Sequence, residues 1–362
     1  MTIVAILGAG SGGLAATAEL VAGGHEVRLW NRSATTLEPV RRQGCVRYTG
    51  VLGCGSARPS LVTTSLAEAL RGAEVAVVTL PGVVHARLFA DLADAGWDRP
   101  TVLHPGHTGG ALHLRAVFLG AARAVPPVAE LSTLMYVARN ADGVVDVTGR
   151  ADVVRAGALP GGEDALAFAV QLFRGATAVD DVLCSSLSNV NVVLHPPGAV
   201  LGASWVEATG GAFTFYVEGM TSGVGRVMDA LDGERRAIAH AFGHELPTLA
   251  EEMAAVGTVR HADVALPVDQ AVRGGAANAR IAAPSSLEHR YYREDLPFGL
   301  VPLLALADVV DVRAPVAAAL LRLGGVAMNG DPLAIGLTAE RLGIAGMTRT
   351  DLLGVVCGVE AA

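Results

Sequence analysis

The sequence predicts an α/β domain built on a doubly wound parallel sheet, followed by a mainly α-helical C-terminal domain. Three observations predict it. Short apolar runs alternate with helical patterns through the first half, as a parallel sheet with crossover helices requires. A glycine-rich turn, Gly8-Ala9-Gly10-Ser11-Gly12-Gly13, joins the first apolar run to the first helical one. After Asp180-Asp181 the strand signals nearly vanish, which divides the chain into domains 1–180 and 181–362.

Residues 3–7 read as the first strand, 14–21 as a helix and 26–30 as the second strand. Residues 74–79 and 101–104 are further buried strands, closed by the turns Pro81-Gly82 and Pro105-Gly106. From 128 to 179 the strands shorten, separated by glycines and by Asp142-Gly143, and a helix starts at Glu163. This stretch is expected to close the same sheet, with room for an antiparallel strand. In the second half, residues 182–194, 223–244, 247–255, 300–306 and 315–328 carry helical periodicity.

Composition narrows the function. The 362 residues are 51% hydrophobic and 17% charged, enough for two cores, and no apolar run is long enough to span a bilayer. The amino terminus lacks the positive flank of a signal peptide, so a cytoplasmic protein is expected. A net charge of −8 with scattered Arg argues against a nucleic-acid surface. The four cysteines form neither a disulfide framework nor a CxxC zinc spacing, and Cys45 and Cys54 are expected as buried small residues. No lysine occurs anywhere, so Schiff-base chemistry, a Walker-type lysine and a lysine general acid are all excluded.

Gly8-x-Gly10-x-x-Gly13 lies directly after a strand and opens a helix, the setting in which it marks a dinucleotide site. The first glycine allows the tight turn, the second lets backbone approach a pyrophosphate, and the third lets helix and strand pack closely. The helix start, with Ser11 and Gly12, offers unpaired N–H groups to phosphate. Leu80 and Pro81, in the turn that ends the strand 74–79, join the cofactor-binding set. At the end of the second strand an acidic residue would select NAD(H). This chain instead has Asn31-Arg32-Ser33, whose guanidinium can bind a 2′-phosphate, so NADP(H) is preferred and NAD(H) remains possible. The alternative is that Arg32 stacks on the adenine.

Two segments of the helical half carry polar residues that packing alone does not require. In Ser188-Asn189-Val190-Asn191-Val192-Val193-Leu194-His195-Pro196-Pro197, Asn191 and His195 share a helix face, and the two prolines are expected to end that helix. The second segment, residues 289–300, holds two Arg, two Tyr and two carboxylates, a composition suited to an anionic substrate. Asp295 can fix the tautomer of His195 and stabilise its protonated form.

These segments resemble the opine dehydrogenases of the octopine/nopaline type, which join a Rossmann domain to a helical domain. The similarity includes Leu103-His104-Pro105-Gly106, Glu130, Thr133-Leu134-x-Tyr136-x-x-Arg139, Asn189-x-Asn191-x-x-x-His195-Pro196-Pro197, residues 289–302 and residues 337–343. The resemblance implies reductive condensation of an amino acid or amine with a 2-oxo acid, through an imine reduced by NAD(P)H. It implies His195 as general acid/base, Asp295 as its partner, Arg290 on a substrate carboxylate, and Asn191 and Tyr136 as further substrate-binding residues. Met135 and Asn191 stand where the family often has Pro and Gln, and Val192 where Pro commonly follows; these departures bear on the identity of the amine.

Competing readings are an imine or ketone reductase on the same scaffold, and a nucleotide sensor without catalysis. Relatives of the ketopantoate reductase and hydroxyacid dehydrogenase type rely on a lysine this chain lacks. Arg290 could instead form an i,i+4 pair with Glu294. His240 and His244 are read as a helix face rather than metal ligands, and His104 and His107 as candidates to line a nicotinamide pocket. A homodimer paired through the helical domain is expected.

Overall fold

The computed structural model describes residues 1–275, 278–279 and 281–358. Twelve strands are seen among them: β1 (Ile3–Leu7), β2 (Glu26–Trp30), β3 (Val46–Gly50), β4 (Gly55–Ala57), β5 (Leu61–Thr63), β6 (Val75–Val78), β7 (Thr101–Leu103), β8 (Val128–Leu131), β9 (Tyr136–Ala141), β10 (Val144–Arg150), β11 (Val154–Ala158) and β12 (Ala176–Ala178). The main sheet has the order β12-β11-β8-β7-β6-β1-β2-β5, parallel throughout except between β8 and β11. Six of these strands, β5-β2-β1-β6-β7-β8, reproduce the doubly wound order in which the chain reverses direction beside β1. The crevice at that reversal lies between the carboxyl ends of β1 and β6, where the glycine turn and the Leu80-Pro81 turn emerge.

One expectation needs correction. The hairpin β9–β10 does not close the main sheet; it pairs with β3 and β4 in a separate four-stranded sheet. The reason lies in the helix α1 (Ser11–Ala22), which buries small apolar residues around most of its circumference. A helix apolar all round must be covered on two sides. The main sheet covers one, and the side chains of Val46, Ala138, Val145 and Val147 join the same core from the second sheet.

The last strand ends at Ala178, and helices follow from Val182 onward. The expected helix 182–194 is two helices, Val182–Leu187 and Asn191–Leu201, because Ser188 and Asn189 turn their side chains to local partners. The Ser188 hydroxyl donates to the Cys184 carbonyl, and the Asn189 carboxamide oxygen accepts the Asn191 N–H. Nor do Pro196 and Pro197 end the second helix, which runs on to Leu201. Each proline loses its own donor and crowds the carbonyl four residues back, yet its fixed φ is helical and its carbonyl can still accept from the following turn.

The longest helix, Ser222–Phe242, carries the fully buried Arg235. That guanidinium is neutralised by Asp232 and donates to the carbonyls of Leu187 and Pro247, clamping three segments of the helical half. The two halves meet at buried Glu130 on β8, which accepts from the hydroxyls of Ser185 and Ser186 and from the Ala111 N–H. Burial pushes the Glu130 carboxyl up to about 7. No helix among the described residues is long and apolar enough to cross a membrane.

Candidate active site

The glycine turn has the geometry its pattern implies. Gly8 adopts φ 128° and Gly13 packs so closely that a Cβ would lie 1.9 Å from the Gly8 carbonyl oxygen. Gly10 precedes the first helical turn, no side chain caps it, and a Cβ there would meet nothing within 4 Å. The first i→i−4 bond of α1 is Leu14 N–H to the Gly10 carbonyl, so the amides of Ser11, Gly12 and Gly13 stand ahead of the ladder. No acidic residue occupies that turn. An open backbone cradle with a favourable dipole and no competing anion fits a pyrophosphate.

At the carboxyl end of β2 lies a cleft of about 120 Å³, bounded by Trp30, Asn31, Arg32 and Ser33 on one side and by Leu80, Arg87 and neighbours on the other. Asn31 serves the turn itself: its carboxamide oxygen accepts the Ala9 N–H at 3.2 Å and its amide donates to the Ser33 carbonyl. Ser33 caps the helix Ala34–Gln43 by accepting the Thr36 N–H. That leaves Arg32, exposed and lining the cleft, as the group of this triplet without a side-chain hydrogen bond among the described residues. Arg87, which sequence reasoning missed, adds a second guanidinium to the cleft and is paired with Asp91 at 2.9 Å.

His195 and Asp295 come together. The imidazole Nδ1 lies 2.8 Å from Asp295 Oδ2, with both side chains almost fully buried. Its Nε2 lies 2.8 Å from the Tyr216 hydroxyl, and its ring stacks on Tyr291 at 4.0 Å. With an ionised Asp295 as acceptor, Nδ1 carries the proton of the neutral ring and Nε2 accepts from Tyr216. Burial holds the hydroxyls of Tyr216 and Tyr291 above their ordinary pKa, so both remain protonated. Tyr216 was not singled out from the sequence. Its signal was Phe213-Thr214-Phe215-Tyr216, three aromatics in four residues of a chain only 4% aromatic.

The segment carrying Asp295 also supports the cofactor crevice. His289 caps the short helix Arg290–Arg293 by accepting the Tyr291 N–H, and burial lowers its imidazole to about 4, which keeps that acceptor neutral. Buried Glu294 accepts the Gly82 N–H at 3.2 Å, lies 3.3 Å from His107 Nε2 and 3.4 Å from Arg290 Nε. Phe298, in the π-helical turn Leu296–Leu300, packs so closely on Gly82 that a Cβ there would come within 3.0 Å of its ring. Arg290 thus has the i,i+4 contact with Glu294, yet its side chain is 53% exposed and keeps donors for a ligand.

Other predicted residues lie elsewhere. Asn191 starts the His195 helix and is half-buried one turn before it. Tyr136 is not brought to the cluster: its hydroxyl donates to Glu19 on α1 at 2.5 Å, beside the Arg150–Glu19 pair, within the core between α1 and the second sheet. His104 also belongs to the core, its Nε2 accepting the Met135 N–H while its ring packs 4.4 Å from Phe173. His107 lies against Glu294 instead. Cys54 is exposed and Cys45 half-buried, against the expectation of buried thiols, because both flank the second sheet where its strands face solvent. His240 pairs with Glu245 on the surface and His244 with buried Asp181.

A doubly wound sheet with a phosphate cradle, and a helical half presenting a buried His–Asp pair beside an arginine, define a dinucleotide-dependent oxidoreductase. Comparison with known proteins identifies the kind. Residues 178–328 match the family model of the NAD/NADP octopine/nopaline dehydrogenase α-helical domain, and residues 4–103 match that of ketopantoate reductase PanE/ApbA. An opine dehydrogenase from Arthrobacter sp. (strain 1C) is 32% identical over 97% of this chain and 98% of its own. A D-nopaline dehydrogenase from Agrobacterium vitis is 31% identical over 31% of this chain and 26% of its own. Among solved structures, octopine dehydrogenase with NADH and L-arginine superposes with a TM-score of 0.79 at 18% identity, over 100% of this chain and 99% of that one. Yersinopine dehydrogenase with NADP+ gives 0.70 at 16% identity, over 99% and 96%. The chain belongs to the opine dehydrogenase family. It is an NAD(P)-dependent oxidoreductase acting on CH–NH bonds and on small-molecule substrates.

Proposed function

We propose that this enzyme condenses an amino acid or amine with a 2-oxo acid and reduces the resulting imine, with NADPH preferred over NADH. The observation that carries the reading is the buried His195–Asp295 pair beside half-exposed Arg290, on a segment hydrogen-bonded to the Gly82 turn of the cofactor crevice. Gly8, Gly10, Ser11, Gly12 and Gly13 would hold the pyrophosphate, Leu80 and Pro81 would line the cofactor crevice, and Arg32 would take the 2′-phosphate. The reduced cofactor, when bound, supplies the hydride.

The chain's own residues manage the charges and protons around that event. Arg290 anchors the carboxylate of the oxo acid through its planar fork. His195 takes a proton as the amine adds to the carbonyl and gives one as water leaves, and Asp295 stabilises the imidazolium in between. Asn191, one turn away on the same helix face, positions the amine. Without lysine the enzyme has no side-chain amine to compete for the oxo acid.

NADPH oxidation measured with a panel of amino acids plus pyruvate and longer 2-oxo acids tests the reading. Turnover that requires both components, with a secondary-amine dicarboxylate recovered, is expected. Turnover of the oxo acid alone would replace it with a ketone reductase. Two copies are inferred to pair through the helical half, where Leu323, Val326, Leu333 and Ile335 expose apolar side chains; a sedimenting species of one chain mass, 36.9 kDa, would contradict this.

A further inference from the structure

His195 has no ring nitrogen free to meet a substrate. Nδ1 is held by Asp295, and Nε2 faces the Tyr216 hydroxyl at 2.8 Å. Tyr216 is not a loose cover. Its segment is tied down by Phe215 N–H to the Ile281 carbonyl and by Ala283 N–H to the Phe213 carbonyl, both at 2.9 Å. Gly198, directly after His195-Pro196-Pro197, makes room for it: a Cβ at Gly198 would lie 3.0 Å from the Phe215 ring. Beyond the hydroxyl lie Tyr291 Oη at 3.3 Å and the positive charge of Arg290, which acts on both phenols. The Tyr216 oxygen therefore covers the one imidazole nitrogen that Asp295 does not hold, and its other neighbour, Tyr291, follows Arg290 in the chain.

We propose that Tyr216 is a catalytic residue, passing protons between His195 Nε2 and the substrate. The inference rests on His195–Asp295 being the acid/base pair of the condensation. In the dehydration step, the Tyr216 O–H proton goes to the carbinolamine hydroxyl as the C–O bond breaks and the nitrogen lone pair forms the C=N bond. Tyr216 recovers a proton from protonated His195, which ends neutral. The products are water and an iminium ion, and no other reactant is needed. Because a free phenolate is disfavoured in this buried place, both transfers belong to one concerted event.

The test is Tyr216→Phe, alone and combined with His195→Ala, in the full-length enzyme. Cofactor affinity by NADPH fluorescence and the thermal midpoint report whether the fold is intact. Tyr216→Phe is expected to lower kcat about 100-fold, the ordinary worth of a proton-transfer group, with NADPH affinity unchanged. The double variant is expected to be no slower than His195→Ala alone, since two members of one relay fail together. Equal or faster turnover in Tyr216→Phe overturns the proposal, because the hydroxyl would then merely cover Nε2 in the resting enzyme. A double variant slowed by the product of the two single effects also overturns it, assigning Tyr216 an independent structural role. Full activity of His195→Ala alone would instead defeat the underlying acid/base assignment.

Discussion

Replacing Asp295 by Asn isolates charge from shape at the centre of the site. The carboxylate lies 2.8 Å from His195 Nδ1 with its side chain 5% exposed, so water cannot substitute for it. A hydrogen bond to a charged group contributes about 1.5–3 kcal/mol, and ~1.4 kcal/mol corresponds to a factor of ten in rate. An amide whose oxygen faces Nδ1 keeps the ring oriented but no longer stabilises the imidazolium, so kcat should fall about 10- to 150-fold. If the amide instead turns its NH₂ toward Nδ1, the ring must take the other tautomer and the loss grows toward ~10⁴-fold, as in triads altered the same way. Steady-state kcat with saturating amine, oxo acid and NADPH reads the effect, and unaltered cofactor affinity confirms that the Rossmann half is intact. A variant with the wild-type fold and kcat within about threefold of the parent would refute the reasoning, since no general acid should tolerate that loss.

Arg290→Lys keeps the charge but loses the planar fork, so KM for the oxo acid should rise by about 10-fold or more while KM for NADPH holds; a rise confined to NADPH would move Arg290 to the cofactor. Arg32→Ala should lower the ratio of kcat/KM for NADPH over NADH by about 10-fold, the value of one charge-assisted phosphate contact; an unchanged ratio would leave Arg32 on the adenine or in solvent. Glu130 titrates near 7 in the fold because burial disfavours its charged form, against 4.5 ordinarily. Its raised pKa means the folded chain binds a proton that the unfolded chain releases between those values. Stability therefore falls as pH rises through that window, by an order of ~3 kcal/mol, and is flat above it. Urea midpoints from pH 4.5 to 8 should show this slope in the wild type and a flatter one in Glu130→Gln; identical slopes would contradict it.

The parts of the fold that were legible in the sequence are those where one pattern had one consequence. The glycine turn is one: Gly13 can only be glycine when its Cβ would strike the Gly8 carbonyl. The second sheet was hidden because β3 and β4 have five and three residues, too short for a periodic signal, and β10, the partner of β3, lies about a hundred residues away, with Val144 opposite Arg47. The helix through Pro196-Pro197 was misjudged because local propensity stops at proline, whereas packing carries the turn onward to Leu201. At the candidate site, the pairing of His195 with Asp295 was legible through the motifs that carry them. Tyr216 was not, because a hydroxyl's role depends on what stands opposite it across the fold. Tyr136 shows the reverse error: a residue inside a shared motif can serve the core, here through Glu19.

Adjacent carboxylates in Glu294-Asp295 divide the work between the two halves of the molecule. Asp295 turns inward to His195, whereas Glu294 turns to the Gly82 amide, His107 and Arg290. One backbone segment therefore sets both the position of the His195–Asp295 pair and that of the Gly82 turn. The π-helical turn that follows keeps this register: Phe298 fills the space left by Gly82, and Gly299 admits Val192 of the His195 helix at 3.2 Å from its would-be Cβ. A buried carboxylate with three polar neighbours is expensive to form and costly to leave unpaired, so it favours one docking of the two halves over others. Arg290 meets the same Glu294 carboxylate at 3.4 Å while its side chain stays half exposed. Under the proposed function, that arrangement would let an enzyme without lysine align a 2-oxo acid, because the carboxylate beside the anchoring arginine also meets the Gly82 turn.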